Sequence, residues 1–226
     1  MNKILAGLLL ISILIAGLFW FLSGNDEENK AIAATGLPWQ VTTTKNGATH
    51  VLGVDIGEIT FKELMFKLKL LAEPALFETP EGVLFLEASF GKKKFGVLEA
   101  RLIAEMEAKQ SVFQAMKDDN KGRDSTPSNH WKYSLSVKST KIANDLRVWR
   151  LVYLPVADFE LKQMKFFGEP QEKIQVTDNA QYWLYPEKGM ALLWDTEGKE
   201  IFYYTAPKDF SRLKKSLPMN IVIEKP

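Results

Sequence analysis

The 226-residue sequence contains no cysteine and only two histidines, His50 and His130. Without a thiol, the chain forms no disulfide, no thiolate zinc site and no iron–sulfur cluster, and it carries neither a cysteine nucleophile nor a lipid on a lipobox cysteine. Two histidines are also too few for a multi-histidine metal site within one chain. No metal or other cofactor is therefore predicted.

The sequence also lacks the short motifs of common active sites. It has no G-x-S-x-G elbow, P-loop, G-x-G-x-x-G, H-E-x-x-H or EF-hand loop. A glycoside hydrolase would need two carboxylates facing each other across a cleft, which a sequence does not test. An enzyme is the least favoured class, and no catalytic residue is assigned.

An excess of charge of either sign is likewise missing. The chain has 29 lysines and arginines against 28 aspartates and glutamates. Lys3 precedes the first hydrophobic segment, and without it 28 basic residues face 28 acidic ones. Because no basic field is present to attract phosphates, nucleic acid is not expected as a partner.

A long hydrophobic run is present at the N-terminus. Residues 4–22 are 19 consecutive residues with Ser12 as the one polar interruption. As a helix they would span about 28 Å, close to the thickness of a bilayer's hydrocarbon core. Lys3 before the run and the acidic residues Asp26, Glu27 and Glu28 after it place the N-terminus in the cytoplasm. The run predicts a single-pass signal-anchor, with the rest of the chain outside the cytoplasm.

Cleavage of this segment is the open alternative. Ala31-Ile32-Ala33 has the form of an A-x-A cleavage site, but eight residues (Ser23 to Lys30) separate it from the apolar run. The run is also longer than the usual signal-peptide core of about 7–15 residues. A retained anchor is therefore favoured.

Alternating and helical hydrophobic patterns predict an α+β ectodomain of antiparallel meanders packed by helices. A hairpin is expected around Asn46-Gly47 with a type I′ turn, and Thr60 is expected to cap a helix that ends near Leu70. Gly91–Lys94 is predicted as a basic turn and Lys121–Asn129 as a mobile loop. His50 falls on a strand and His130 in a loop, and neither is assigned a function. Further helices are predicted at 111–120 (opened by a capping box), 137–144 and 158–167, and strands at 75–79, 83–90, 98–106, 146–154, 173–176, 181–185, 191–194 and 200–205.

The pattern also suggests that the ectodomain has two similar halves. In each half a capped helix ends in Glu-Pro (Glu73-Pro74 and Glu169-Pro170), and a meander follows. An internal duplication and two independent uses of one common unit both explain this arrangement. The predicted organisation is an anchor (1–23), a tether (24–36), a first α+β half (37–122), a connector with a short helix (123–145) and a second α+β half (146–226).

Two segments of the second half carry a resemblance. Phe167-Gly168-Glu169-Pro170 and Tyr182-Trp183-Leu184-Tyr185-Pro186 resemble the helix stop and Trp-x-Tyr strands of the SmpA/OmlA lipoproteins of outer-membrane assembly. Those lipoproteins are anchored through an N-terminal cysteine, which this chain lacks. The ectodomain, from Leu37-Pro38-Trp39-Gln40 to Trp183–Gly189, also resembles membrane-anchored proteobacterial proteins without an assigned activity. The resemblance implies a bacterial inner-membrane protein with a periplasmic ectodomain.

Aromatic residues crowd into the last strands. Consecutive pairs there must point to opposite faces of a sheet. If one face is core, the other exposes aromatic rings, which are typical of binding surfaces; alternatively, both faces are covered. The candidate partner-binding residues are Tyr182, Trp183, Tyr185, Trp194 and Tyr203.

Three functions follow in order of preference. The first is a membrane-tethered periplasmic interaction module, an accessory or scaffold subunit of a cell-envelope complex with a protein partner. The second is a periplasmic carrier of a lipid, peptide or glycan, which needs an apolar pocket of several hundred Å³ between the halves. The third is a carboxylate-dependent enzyme.

Overall fold

The computed structural model describes residues 36–95, 98–159, 165–197 and 200–219. The predicted anchor lies outside these residues, and so do residues 160–164 of the helix predicted over residues 158–167. Within the described ranges, no helix is long and apolar enough to cross a membrane. This part of the chain combines helices with a larger number of strands, which confirms the predicted α+β class.

Most of the described strands belong to one antiparallel sheet of ten strands, and three short strands form a second sheet. The small sheet contains β1 (Thr42–Thr43), β2 (Thr49–Val51) and β3 (Val54–Ile56). The large sheet contains β4 (Pro74–Glu78), β5 (Leu84–Phe95), β6 (Leu98–Met106), β7 (Gly122–Ser125), β8 (Trp131–Ser134), β9 (Val148–Pro155), β10 (Glu172–Gln175), β11 (Ala180–Tyr185), β12 (Met190–Asp195) and β13 (Ile201–Thr205). Its order is β10-β11-β12-β13-β9-β6-β5-β4-β8-β7. The strands predicted at 75–79, 98–106, 146–154 and 173–205 agree with these bounds to within two residues, whereas β3, β7, β8 and the extension of β5 are not among the predicted strands.

The helices in the described part are α1 (Phe61–Leu68), α2 (Gln110–Asp118), α3 (Val137–Asn144) and α4 (Phe210–Ser216). Single turns of 3₁₀-helix lie at Lys165–Phe167, Pro186–Lys188 and Pro207–Asp209. Helix α1 begins where predicted, because Thr60 and Glu63 form a reciprocal capping box. Phe61, Leu64 and Leu68 lie on its buried stripe, as their helical spacing predicts.

The two faces of the large sheet are covered differently. One face, here called the inner face, carries Leu76, Leu86 and Leu102 and packs against α1, α2, α3 and the small sheet in the main hydrophobic core. The opposite or outer face has a second core only on its C-terminal strands. There α4 contributes Phe210 and Leu213, which pack over Tyr182, Leu184 and Leu193.

The small sheet is fastened to the large one at a buried junction around Thr49. Thr49 of β2 is fully buried, and its hydroxyl lies 2.6 Å from the carbonyl oxygen of Thr205 and 2.9 Å from that of Lys188. Gly189 completes the junction, because its carbonyl oxygen accepts the amide of Thr205 at 2.8 Å. The N-terminal segment is held by the Tyr204 hydroxyl, which donates to the carbonyl of Pro38 at 2.7 Å.

Four local predictions are corrected by the structure. The hairpin at Asn46-Gly47 is present, but its turn is not type I′, because Gly47 has a positive φ (84°) and Asn46 does not. Helix α2 begins at Gln110, one residue before Ser111, and no side chain caps it. The side-chain amide of Gln110 instead donates to the carbonyl of Leu84, and Phe113 and Met116 form the buried side of the helix.

The other two corrections concern segments predicted as irregular. Gly91–Lys94 is not a turn but continues β5 to Phe95 beyond a bulge between Ser89 and Gly91. The predicted loop Lys121–Asn129 contains β7, which pairs with β8 at the edge of the sheet. All four residues of β7 are exposed, so backbone pairing and not burial defines this strand.

Candidate functional site

The five candidate aromatic residues divide between the two faces as predicted. Tyr182 and Tyr203 belong to the outer core beneath α4, whereas Trp183, Tyr185 and Trp194 face the inner core. The first four are buried, with Trp183 retaining most exposure at 9%, and Trp194 is half-buried. Of the two alternatives, an exposed aromatic face and two covered faces, the burial of these residues supports the second, and their role in binding a partner stays a prediction.

The buried tyrosines use their hydroxyls to tie down neighbouring chain segments. Tyr182 donates to the carbonyl of Pro218 at 2.9 Å, and Tyr185 donates to that of Gly168 at 3.2 Å. Burial, assisted by the charge of Glu169, raises the pKa of Tyr185 to about 12. Both hydroxyls stay neutral at physiological pH, which suits them to a packing role.

A shallow cleft of about 310 Å³ opens beside Tyr185. Its wall combines Phe167 with the charged side chains of Glu169, Glu187 and Lys188. The Lys188 ammonium is engaged, because it donates to the carbonyl of Phe167 at 2.7 Å. A second cleft of about 250 Å³ lies between the start of β4 and α3 and is lined by residues that include Glu73, Lys132 and Thr140. Neither is a mainly apolar cavity of the kind that the carrier hypothesis requires, and that hypothesis stays a prediction.

The two histidines lie far apart in the fold. His50 pairs with Asp55, with 2.6 Å between Nδ1 and Oδ1, on the half-exposed surface of the small sheet. His130 lies at the start of β8, and its ring meets Phe85 edge-on at 5.8 Å between centroids. Over the described part of the chain, no group of three or more potential metal-binding side chains is close enough to hold an ion.

The surface that stands out is the outer face of β4 and β5. Phe77 and Phe85 face each other across these strands with their rings stacked at 5.4 Å, and His130 extends the row. Both phenylalanines are half-buried, and among the described helices none packs over them. On the C-terminal strands, α4 covers the same face. The outer surface of β4 and β5, here called the phenylalanine face, is therefore not covered by any helix of the described part of the chain.

Charged residues border the phenylalanine face. Glu105 of β6 pairs with Arg150 of β9, and both side chains are largely buried. Glu87 lies between them and the phenylalanines, and burial, with the nearby charge of Glu105, raises its pKa above the ordinary value. Lys132 is exposed and lies beside Phe77. The face thus has an aromatic centre with charges of both signs at its margin, which is the usual make-up of a protein-binding patch.

The sequence contains a signal for this face that the cluster of later aromatics obscures. Phe85 alternates with Leu84 and Leu86, so the second strand face is apolar at this position as well. Apolar residues on both faces of a strand require either a second covering layer or a partner. Which strands α4 covers depends on contacts distant in sequence.

The geometry defines the chain as an α+β protein built on a ten-stranded antiparallel sheet. No family model, curated protein or solved structure matches the chain. The resemblance to the SmpA/OmlA lipoproteins stays a prediction.

Proposed function

We propose that the protein is a membrane-tethered interaction module of the bacterial cell envelope, in which the phenylalanine face binds a protein partner. Residues 4–22 anchor it in the inner membrane, and the ectodomain lies in the periplasm as an accessory or scaffold subunit. The observation that carries the proposal is the stacked pair Phe77 and Phe85 on a part of the sheet that α4 leaves open.

The geometry of this pair favours a partner protein over a purely structural role. Phe77 and Phe85 stack on each other, Phe85 also meets His130, and both phenylalanines stay half-buried, so part of their apolar area remains in water at about 25 cal/mol per Å². A sheet normally buries such area under a second layer. The neighbouring charges Glu87 and Lys132 favour a partner with polar groups at the rim of an apolar contact.

The finer parts of the fold prediction, the transmembrane helix and the duplication, belong to the same proposal. The duplication is supported by sheet order: β4–β6 and β11–β13 are both three-stranded meanders, and the last strand of each pairs with β9. A segment on the inner face precedes each meander, namely α1 in the first half and the turn at Lys165–Phe167 in the second. The anchor is supported by the sequence of residues 4–22.

In-cell photo-crosslinking tests the protein-binding function. A photoreactive amino acid replaces Lys132 or Ser89, which are exposed on the outer face, and Lys45 serves as the control at the tip of the small sheet. We expect the positions on the outer face to give a defined protein adduct, identified by mass spectrometry, and the control position to give none. The adduct should disappear in Phe85→Ser, whose thermal unfolding shows whether the fold is kept.

Two results would overturn the proposal. One is the absence of any protein adduct at Lys132 and Ser89 when the chain is expressed at its normal level. The other is an adduct that persists unchanged in folded Phe85→Ser, because the aromatic pair would then contribute nothing to the contact.

A further inference from the structure

The most exposed large apolar side chains lie in one layer of the molecule. Leu71, Phe66, Val137 and Phe166 retain 89%, 84%, 69% and 64% of their exposure. Each belongs to a segment packed on the inner face of the sheet: α1 and the residue run after it, α3, or the turn at Lys165–Phe167. Phe166 stacks on Trp39 at 6.0 Å, but Phe66 and Leu71 bury so little area that they add little to the stability of the fold.

Phe66 lies on α1, Leu71 follows its C-terminus, and Val137 and Ile142 lie on α3, which is paired with α1. The start of α1 is tied to the end of α3, since the amide of Phe61 donates to the carbonyl of Leu146 at 2.9 Å. The run that follows α1 borders α3, because Glu73 and Thr140 line one cleft. The two helices are therefore neighbours that run in opposite directions, and their solvent side is here called the α1–α3 face.

This face is also rich in lysine. Lys62, Lys67, Lys69, Lys138 and Lys141 are all exposed on the two helices or at the C-cap of α1. Of these five, only Lys67 forms an ion pair among the described residues, at 3.9 Å from Asp55. The two helices and their C-caps also carry two carboxylates, Glu63, which takes part in the capping box with Thr60, and the exposed Asp145, so five lysines face two carboxylates. Positive charge and exposed apolar side chains thus occur together.

The first described residue, Gly36, lies close to this face. Gly36 lies against the backbone of Leu52 and Gly53, in the turn that leads into β3, and Asp55 of β3 is the partner of Lys67 on α1. Residues 23–35 join this point to the predicted anchor, and 13 residues reach at most about 45 Å when fully extended. In an anchored chain, Gly36 therefore stays within about 45 Å of the end of the anchor, which leaves the α1–α3 face able to reach the bilayer surface.

We propose that the α1–α3 face docks on the surface of a bilayer that contains anionic phospholipid, with Phe66 and Leu71 inserted between the headgroups. The proposal rests on the membrane tether of the proposed function but not on its protein partner. Lysine side chains are attracted to an anionic membrane surface. Apolar side chains on the same face of the protein insert into the interface between headgroups and acyl chains. A protein partner would bury five lysines less readily, because lysine is depleted from the cores of protein interfaces.

Labelled full-length protein tests this directly. The chain has no cysteine, so Phe66→Cys, Leu71→Cys and, as the control on the outer face, Ser89→Cys each accept one environment-sensitive fluorophore. The purified chain is reconstituted into vesicles of phosphatidylcholine with or without 30 mol% phosphatidylglycerol (about one lipid in three). We expect labels at 66 and 71 to shift to the blue and to be quenched by nitroxide lipids in the anionic vesicles. The fluorescence of the label at residue 89 should be the same in vesicles with and without phosphatidylglycerol.

A charge variant and its matched control separate docking from general attraction. Lys62→Gln/Lys69→Gln should lower the ratio of docked to undocked chain about 25-fold, at about fivefold per lysine. Lys92→Gln/Lys94→Gln removes the same charge from exposed positions of β5 and should leave the ratio unchanged.

The outcomes separate this proposal from the previous one. Labels at 66 and 71 that behave like the label at 89 in anionic vesicles overturn lipid docking, and so does an equal effect of the two lysine pairs. If an alkaline wash removes the chain from the vesicles, the predicted transmembrane anchor is contradicted. Quenching measured before the wash still shows whether the α1–α3 face contacts lipid. The phenylalanine face is not involved in any of these readouts, since the purified chain has no partner present.

Discussion

Replacement of Gly189 by alanine tests the junction between the two sheets. Gly189 has a φ of 61° at the end of the 3₁₀ turn Pro186–Lys188. A methyl group on its Cα would lie 2.0 Å from the carbonyl oxygen of Thr205 and 2.3 Å from the hydroxyl of Thr49. Both distances are far inside van der Waals contact, and the first involves backbone of a central strand.

The cost has two parts. The left-handed conformation costs alanine about 1 kcal/mol relative to glycine. The overlap must in addition move either β13 or the small sheet, which breaks the contacts that Thr49 makes with the carbonyls of Thr205 and Lys188. Leaving such buried groups unsatisfied costs about 1–3 kcal/mol. We therefore expect Gly189→Ala to lower the free energy of unfolding by about 3 kcal/mol, a large share of the usual 5–15 kcal/mol of a domain.

Gly82→Ala is the matched control. Gly82 also has a positive φ, 81°, but a methyl group there meets nothing within 4 Å. It should cost about 1 kcal/mol, from backbone conformation alone. Urea unfolding of the full chain, followed by tryptophan fluorescence, measures both variants. Equal destabilisation of the two, or a Gly189→Ala protein as stable as the parent, would refute the account of the junction.

Two further predictions concern charged side chains. Arg150→Met should destabilise the fold by about 3–5 kcal/mol in urea, because it leaves the buried Glu105 carboxylate uncompensated, and Arg150→Met/Glu105→Met should recover part of that loss. The hydrogen bond from Lys117 lowers the pKa of Glu78 below its usual value near 4.5, so the stabilisation from Glu78 is complete above that pH and is lost as the pH falls further. Glu78→Gln should therefore flatten the acid side of the stability–pH curve, and an unchanged curve would contradict this.

Elements with local signals could be predicted from the sequence. Thr60 caps α1, and its stripe of apolar residues fixes the buried side of the helix. Strict alternation predicts β6 at Leu98–Met106, the bounds that the structure has. In both cases the pattern period and the end signal lie within one short segment, so no distant contact is needed to read them.

Elements held by distant contacts could not be predicted. Strand β7 consists of Gly122, Arg123, Asp124 and Ser125, a polar run without alternation, and it exists because β8 offers an unpaired edge. Helix α2 is predicted at 111–120, but its start is not held by the predicted cap: Phe113 and Met116 dock on the sheet, and no side chain caps the helix. Capping rules predict a cap at Ser111. The cap is not formed because burial of a hydrophobic stripe influences the helix more strongly than a cap does.

The candidate site shows the same division. Alternation correctly assigns Tyr182 and Trp183 to opposite faces, but it does not say which face is covered. Coverage of the outer face depends on α4, which is close in the fold to β11 and β12 but begins 25 residues after the end of β11. The exposed apolar residue that the sequence does reveal is Phe66, since it falls outside the stripe of Phe61, Leu64 and Leu68.

The two proposed surfaces have a geometric consequence when taken together. The α1–α3 face belongs to the layer on the inner side of the sheet, whereas Phe77 and Phe85 lie on the outer side. If Phe66 contacts the bilayer, the inner side of the sheet faces the membrane. The phenylalanine face, on the outer side, then points away from the lipid. A partner could reach that face without competing with lipid, and confinement at the membrane raises the local concentration of the module for partners there. An ordinary tether fixes only distance, but docking through the α1–α3 face would also fix orientation.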